Sequence, residues 1–359
     1  MAKGVRDLRE TQIKFCATLP PGAGWDVAQV PAARIVGQCG MKKLVNRVLP
    51  TEATGLMSDH IIDRYYDPWI MAELPITPGD EGLTFNQFPW FLEMGAVGGI
   101  TPVGVAPAAQ VWTFIPVLTA ADMPQVASIG YGDNAGSWIS HCCFARNLVI
   151  SGAFQGPWQI DADIVGRDME VEGLIDLPYP TDAASFGPLQ TILGQMTVLN
   201  THPSCTFAAP TPVEGSLIDW RITIPGFHAK FFQDGALYYS IMGLASRHLT
   251  FEATVEWDSV FAAAEHAIWA ASHMAATPSA PRYMQLVATG GLIPLVVPPA
   301  SYQAQIDMVL MYESFETLDQ RDGNDIVKFV ARTAYDVGCI GAGVPEWQVE
   351  VTNGDAALP

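Results

Sequence analysis

The chain has 359 residues, with 18 Lys and Arg against 37 Asp and Glu and a formal charge of −19. That balance argues against a nucleic-acid binder, because affinity for phosphate comes mainly from Lys and Arg that release counterions. A 49% hydrophobic content excludes a disordered chain, and a charged share of 15%, below the usual ~25%, predicts much surface buried in cores or against other subunits.

The opening MAKGVRDLRETQIKF carries positive charge with no apolar stretch behind it, so no leader is expected there. The first predicted helix is Asn86 to Val97, with Asn86 as cap, Pro89 in the first turn and Gly98-Gly99 at the end. Short strands are predicted at Val111 to Ile115, Val126 to Tyr131, Asn147 to Ser151 and Trp158 to Val165. Leu217 to Ile224 follows. Leu249 to Trp257 is the clearest strand. Leu249, Phe251, Ala253, Val255 and Trp257 alternate with Thr250, Glu252, Thr254 and Glu256, which marks one dry and one wet face. Asp258 to Met274 reads as an Ala-rich helix capped by Asp258 or Ser259, with Phe261, Ile268 and Trp269 sharing a face and Glu265 and His266 elsewhere. Three strands complete the set. They are Tyr283 to Thr289, Tyr302 to Tyr312 with Gln303, Gln305 and Asp307 outward, and Ile326 to Tyr335 with Val327, Phe329, Ala331 and Tyr335 set against Lys328, Arg332 and Thr333 or their neighbours. The apolar runs LIPLVVPP and VFAAAEHAIWAA are broken by proline or charge and fall short of the ~18 residues of a membrane helix.

The expected fold class is α+β, mainly β, of sandwich or barrel type with roughly one helix per half. Residues 168–185 are proline-punctuated and follow a completed strand, which predicts two β-domains, 1–170 (with an N-terminal arm) and 171–359. Trp158 to Val165 (WQIDADIV) echoes Tyr302 to Val309 (YQAQIDMV), as duplication of one domain would produce.

Catalytic motifs are missing. There is no Walker lysine, no GxGxxG after a strand and no GxSxG elbow. Cysteines stand at 16, 39, 142, 143, 205 and 339 without a CxxC pair. A metal corner at His141-Cys142-Cys143 is weighed against reduced, partly buried thiols, and the thiols are expected. His266 and His273 are about two turns (~10.5 Å) apart on a helix, unlike the usual zinc spacing. Neither metal nor cofactor is expected. Asp161 with Asp163, and Glu252 with Glu256, share strand faces. A glycosidase would need such acids about 5–10 Å apart across a cleft, whereas a solvated sheet face needs nothing more.

The order of several segments is more specific than any one of them. They are LTFNQFPWFLEMGAVGG (83–99), VWTFIP (111–116), MPQVASIGYGD (123–133), ARNLVISGAFQGPWQIDADIVGR (145–167), LIDWRITIPGFHAKFFQDG (217–235), RHLTFEATVEWDS (247–259), RYMQLVATGG (282–291) and residues 301–336. From about residue 60 to about 337 the chain resembles the tail tube proteins of long-tailed, non-contractile bacteriophages, in their two-domain form. The resemblance implies tandem β-barrel or sandwich domains, each with a flanking helix. It implies homotrimeric, pseudo-sixfold rings that stack into a tube in the virion, assembled in the cytoplasm of the host bacterium. The implied partners are further copies, a tape measure protein, tail-terminator and tail-tip proteins, and double-stranded DNA in transit, with no membrane anchor. An acidic wall would repel DNA weakly, whereas a basic one would grip its phosphates.

On this reading the wet faces line the lumen: Gln159, Asp161 and Asp163 in the first half, and Gln303, Gln305 and Asp307 or Glu252 and Glu256 in the second. Residues of 313–325 (Glu313, Glu316, Asp319, Arg321, Asp322) are expected to join adjacent rings. The competing readings are another virion component, such as a capsid or decoration protein, and a carbohydrate-active β-sandwich enzyme using paired acids.

Overall fold

The computed structural model describes residues 10–15, 33–35, 38–48, 51–53, 59–61, 66–77, 82–98, 102–103, 109–116, 125–133, 136–167, 169–171, 189–213, 217–230, 241–244, 246–257, 260–274, 281–294, 296–316, 319–321, 323–334, 336, 338–339 and 343–355. The first half contains β1 (Glu10–Phe15), β2 (Ala33–Ile35), β3 (Gln38–Cys39), β4 (Lys42–Val48), β5 (Thr51–Ala53), β6 (Asp59–Ile61), β7 (Tyr66–Thr77), α1 (Phe88–Gly95), β8 (Gln110–Phe114), β9 (Ala127–Asp133), β10 (Gly136–Ala153), β11 (Gln159–Gly166) and β12 (Glu170–Val171). The second contains β13 (Thr197–His202), β14 (Thr211–Pro212), β15 (Leu217–Pro225), β16 (Phe227–Lys230), β17 (Ile241–Leu244), β18 (Thr250–Glu256), α2 (Val260–Met274), β19 (Arg282–Leu292), β20 (Ser301–Phe315), β21 (Asp319–Arg321), β22 (Asn324–Thr333) and β23 (Trp347–Asn353). The protein is thus mainly β, as its alternating sequence requires, with two α-helices among the described residues.

Two antiparallel sheets share one core. The longer runs β4-β7-β11-β10-β15-β18-β22-β20. The second runs β13-β19-β20-β23-β8. Strand β20 belongs to both. Its edge away from β19 carries β23 at Gln303 to Met308 and then β22 from Leu310 onward. Strand β10 is used in the same way, pairing with β9 through its first half and with β15 through its second. The strand network closes into a barrel.

Alternation puts Ile160, Ala162 and Ile164, Leu148 and Ile150, Ile222 and Ile224, Phe251 and Val255, and Phe329 and Ala331 on the core face of the longer sheet, all buried. From the second sheet come Leu286, Ala304, Ile306, Val349, Trp112 and Phe114. All of these apolar side chains form one contiguous cluster. Helix α1 packs against β10 and β8 with every residue buried. Its start departs from expectation. The Asn86 amide bonds Asp355 at 3.1 Å instead of capping, and the Thr84 hydroxyl accepts the Gln87 N–H at 3.2 Å. The caps proposed for α2, Asp258 and Ser259, lie outside the described residues.

Strand pairing also crosses the expected boundary near residue 170. β10 pairs with β15, and β8 pairs with β23. The echoed segments occupy matching places. Each is the second strand of a long hairpin, β10–β11 or β19–β20, and each pairs with a further strand on its other edge. Trp158 and Tyr302, which begin the two echoes, are both buried.

Trp158 ties the halves together. Its indole N–H donates to the Thr197 hydroxyl at 2.8 Å, and its ring meets Trp220 edge-on at a centroid distance of 4.7 Å. Trp158→Ala should therefore cost about 3–5 kcal/mol, read as a lower urea midpoint at unchanged slope. A loss below about 1 kcal/mol would show that the site does not hold the core together.

Candidate functional site

The surface of interest is the outer face of the longer sheet. Because side chains alternate, burying the core face turns a second set of residues to the outside. These are Gln159, Asp161 and Asp163 on β11, Asn147, Val149 and Ser151 on β10, Arg221 and Thr223 on β15, Thr250, Glu252 and Glu256 on β18, and Lys328 and Arg332 on β22. The ladder registers place them side by side, with Asp161 across from Val149, Ser151 from Arg221, Arg221 from Glu252, and Thr250 from Arg332. The acids nominated in each half therefore share one continuous face.

Two bulges re-aim charged residues onto it, as an extra residue in one strand does. The register shifts between Ala145 and Asn147, and the bulged residue Arg146 reaches Asp163 at 2.7 and 3.2 Å and Glu73 at 3.4 Å. A second shift between Tyr312 and Ser314 accommodates Glu313, which pairs with Arg332 at 3.3 Å. Lys328 pairs with Glu252 at 3.3 Å, and Arg321 with Asp219 at 2.6 Å. Asp161 is exposed. The face is thus of mixed charge, with Arg146, Lys328, Arg321 and Arg332 held against carboxylates and Arg221 exposed among them.

An open groove of about 430 Å³ crosses this face, with Gln159, Arg221, Glu252 and Lys328 on its walls and Gly152 and Trp220 in its lining. Gly152 is required there. A Cβ would stand 2.7 Å from the Trp220 ring, which is packed edge-on against Trp158 beneath.

Gln303, Gln305 and Asp307 lie elsewhere. They occupy the outer face of the second sheet, across from Thr289, Val287 and Gln285 on one side and Thr352, Glu350 and Gln348 on the other. Both sheets turn their apolar faces to the same core, so these two polar faces look away from each other. Asp307 is also not the outward acid expected from alternation, being only 8% exposed. Its carboxylate accepts from the Gln285 amide at 2.8 Å and from the Gln305 amide at 2.9 and 3.1 Å, which offsets much of the cost of burial. Desolvation still raises the pKa of Asp307. The same cause, with the nearby Asp307 charge adding to it, raises that of Glu350.

The 313–325 segment is largely a strand extension. Asp319–Arg321 pairs with Asn324–Ile326 around Gly323, whose φ of 89° suits glycine. Glu313, Glu316, Asp319 and Arg321 are exposed, while Asp322 lies outside the described residues. Three further expectations need correction. Thr333 is buried, its hydroxyl accepting the Leu249 N–H at 2.8 Å. Glu265 is buried on the packed face of α2, held by the Arg282 guanidinium (Nε at 2.9 Å) and the Tyr312 hydroxyl at 2.7 Å. His266 lies on the same side, against Trp257 and Phe315. Polar partners on β19 and β20, invisible along the helix itself, turn that face inward. Cys142 and Cys143 join different apolar clusters, and His141 bonds Ser128 at 2.9 Å. The three side chains thus serve separate surroundings.

Sequence reasoning missed Arg146 and Arg221 as members of the outer face. A bulge hides the first from any period-two pattern. Only the pairing of β15 between β10 and β18 places the second.

No protein-family model matches the chain, and no curated protein matches it. Among the described residues no helix is long and apolar enough to cross a membrane.

A carboxyl whose pKa is raised in the fold stabilises it below the unfolded-state value and loses that contribution as pH rises through the folded value. Asp307 and Glu350 should therefore make the protein lose stability as pH climbs out of the ordinary carboxylate range. Asp307→Asn should flatten that decline in urea unfolding scans taken at successive pH values. An unchanged slope would remove Asp307 as its source.

Proposed function

We propose that the chain is a structural virion protein that assembles as stacked rings, trimeric and pseudo-sixfold, into the tail tube of a long-tailed, non-contractile phage. One observation carries the reading: strands from both halves build one continuous sheet whose outer face is polar from β11 to β22. In a ring of copies, such sheets set edge to edge would form a closed inner wall. The wall would present Gln159, Asp161, Asp163, Glu252 and Glu256 to the lumen.

The charge pattern supports a conduit by a route different from simple acidity. Lysine and arginine that face solvent alone would bind DNA phosphates and release counterions. Here Arg146, Lys328, Arg321 and Arg332 already hold carboxylates, and Arg221 lies across the ladder from Glu252. A wall of this kind is wet and lacks a strong grip, so duplex DNA can pass. Gln303, Gln305 and Asp307, on the opposite sheet, then belong to the outer side. On this reading the exposed Glu313, Glu316, Asp319 and Arg321 would face neighbouring rings. The proposed partners remain further copies, the tape measure protein, and the terminator and tip proteins of such a tail. The protein acts as a building element and not as an enzyme.

The test is imaging plus labelling. Purified protein should form hollow rods of constant diameter under the electron microscope. In Asp161→Cys protein carrying biotin, streptavidin should bind the free subunit and be excluded from the rods. Monomers at every concentration, or full streptavidin decoration of the rods, would overturn the reading.

A further inference from the structure

One side-chain cluster lies apart from the polar face and serves none of the functions above. The turn after β13 carries Cys205, and the segment after β22 carries Asp336 and Cys339. The Cys205 and Cys339 sulfurs and an Asp336 carboxylate oxygen all lie within 4.8 Å of one another. The Cys339 thiol donates to Asp336 Oδ2 at 3.1 Å. Cys339 is buried, and Val309, Phe207, Tyr283 and Val344 pack around the two sulfurs.

We propose that Cys205, Asp336 and Cys339 form a zinc site that clips the β13–β14 turn to the segment following β22. Three arguments carry it. The donor set comes first: two thiolates and one carboxylate suit Zn²⁺, whereas magnesium and calcium need oxygen cages and iron–sulfur clusters need four thiolates. The spacing is also right. Tetrahedral zinc with these ligands sets neighbouring donor atoms about 3.6–3.8 Å apart, so small adjustments of the thiols suffice. The third argument is the outer support. Asp336 Oδ2 accepts the Tyr283 hydroxyl at 2.7 Å, and Oδ1 accepts the Gly338 N–H at 2.9 Å. These bonds orient the carboxylate as partners of metal ligands do.

Phe207 and Ala209 hold φ values of 48° and 56°, a left-handed region unfavourable to non-glycine residues. Asp336 and Cys339 are three apart and form the local half of the site, while Cys205 closes it from the remote β13–β14 turn. On binding, each thiol releases its proton to solvent and its sulfur bonds the metal. Water completes the tetrahedron. The clip would join β13, β19 and the segment after β22 at one end of the second sheet.

Full-length protein made with zinc in the medium should retain about one zinc per chain by elemental mass spectrometry. Cobalt exchanged into the site should show thiolate-to-cobalt charge-transfer absorption. Cys205→Ser and Cys339→Ser should each abolish both signals, and Tyr283→Phe should weaken zinc affinity about tenfold or more. Should the variants fail to fold, the wild type still decides: a chelator should lower its melting temperature by a few degrees, and zinc should restore it. Wild-type protein without zinc and with a chelator-insensitive melt would overturn the proposal. So would full zinc content in either serine variant, or a Cys205–Cys339 disulfide in the zinc-grown protein.

Discussion

The structure depends on two long strands that each serve two sets of neighbours. β10 has 18 residues and β20 has 15, well beyond ordinary strand length. Each changes partners along one edge, and each contains a bulge near the change. A bulge adds local twist, which lets a strand leave one sheet and enter the next. The shared core follows from this. So does the strictness of the pattern, because a one-residue slip would turn Ser151 of β10 or Gln305 of β20 into the core and expose Ile150 or Ile306 beside it.

Charge is used in two ways. On the outer face, pairs such as Lys328–Glu252 are partly solvated, and each contributes about 0–1 kcal/mol at most. Inside, Glu265 is held by Arg282 and Tyr312 under α2, and Glu346 by Arg247 and His248 beside β23. Buried carboxylates of this kind tolerate no loss of partner, since an unpaired buried charge costs about 3–5 kcal/mol. They specify how the helix and the last strand dock more than they add to stability.

Much of the fold was legible because alternation is a local signal. Leu249 to Trp257 and Trp158 to Val165 appear as strands nearly where expected, and both helices are present. The sequence also exposed the acids at 161, 163, 252 and 256 as face-sharing sets within their strands. What it could not show was which strands adjoin. The common face of Asp161 and Glu252, the opposite placement of Gln303 and Gln305, and the reach of Arg146 all depend on long-range pairing or on a bulge. The burial of Asp307 and Glu265 depends on partners from other elements. Cys205 and Cys339 carry no spacing signature, because the chain folds them together from distant positions.

The last ladder has a consequence for synthesis. β8 meets its partner only when residues 347–353 arrive, long after residues 110–114 have left the ribosome. At roughly 5–20 residues per second that wait is on the order of ten seconds or more. During it a seam lies unzipped, lined by Trp112 and Phe114. The growing polypeptide is therefore an incomplete cask, and its final stave both seals the wall and ends the period in which a stray neighbour could take that place.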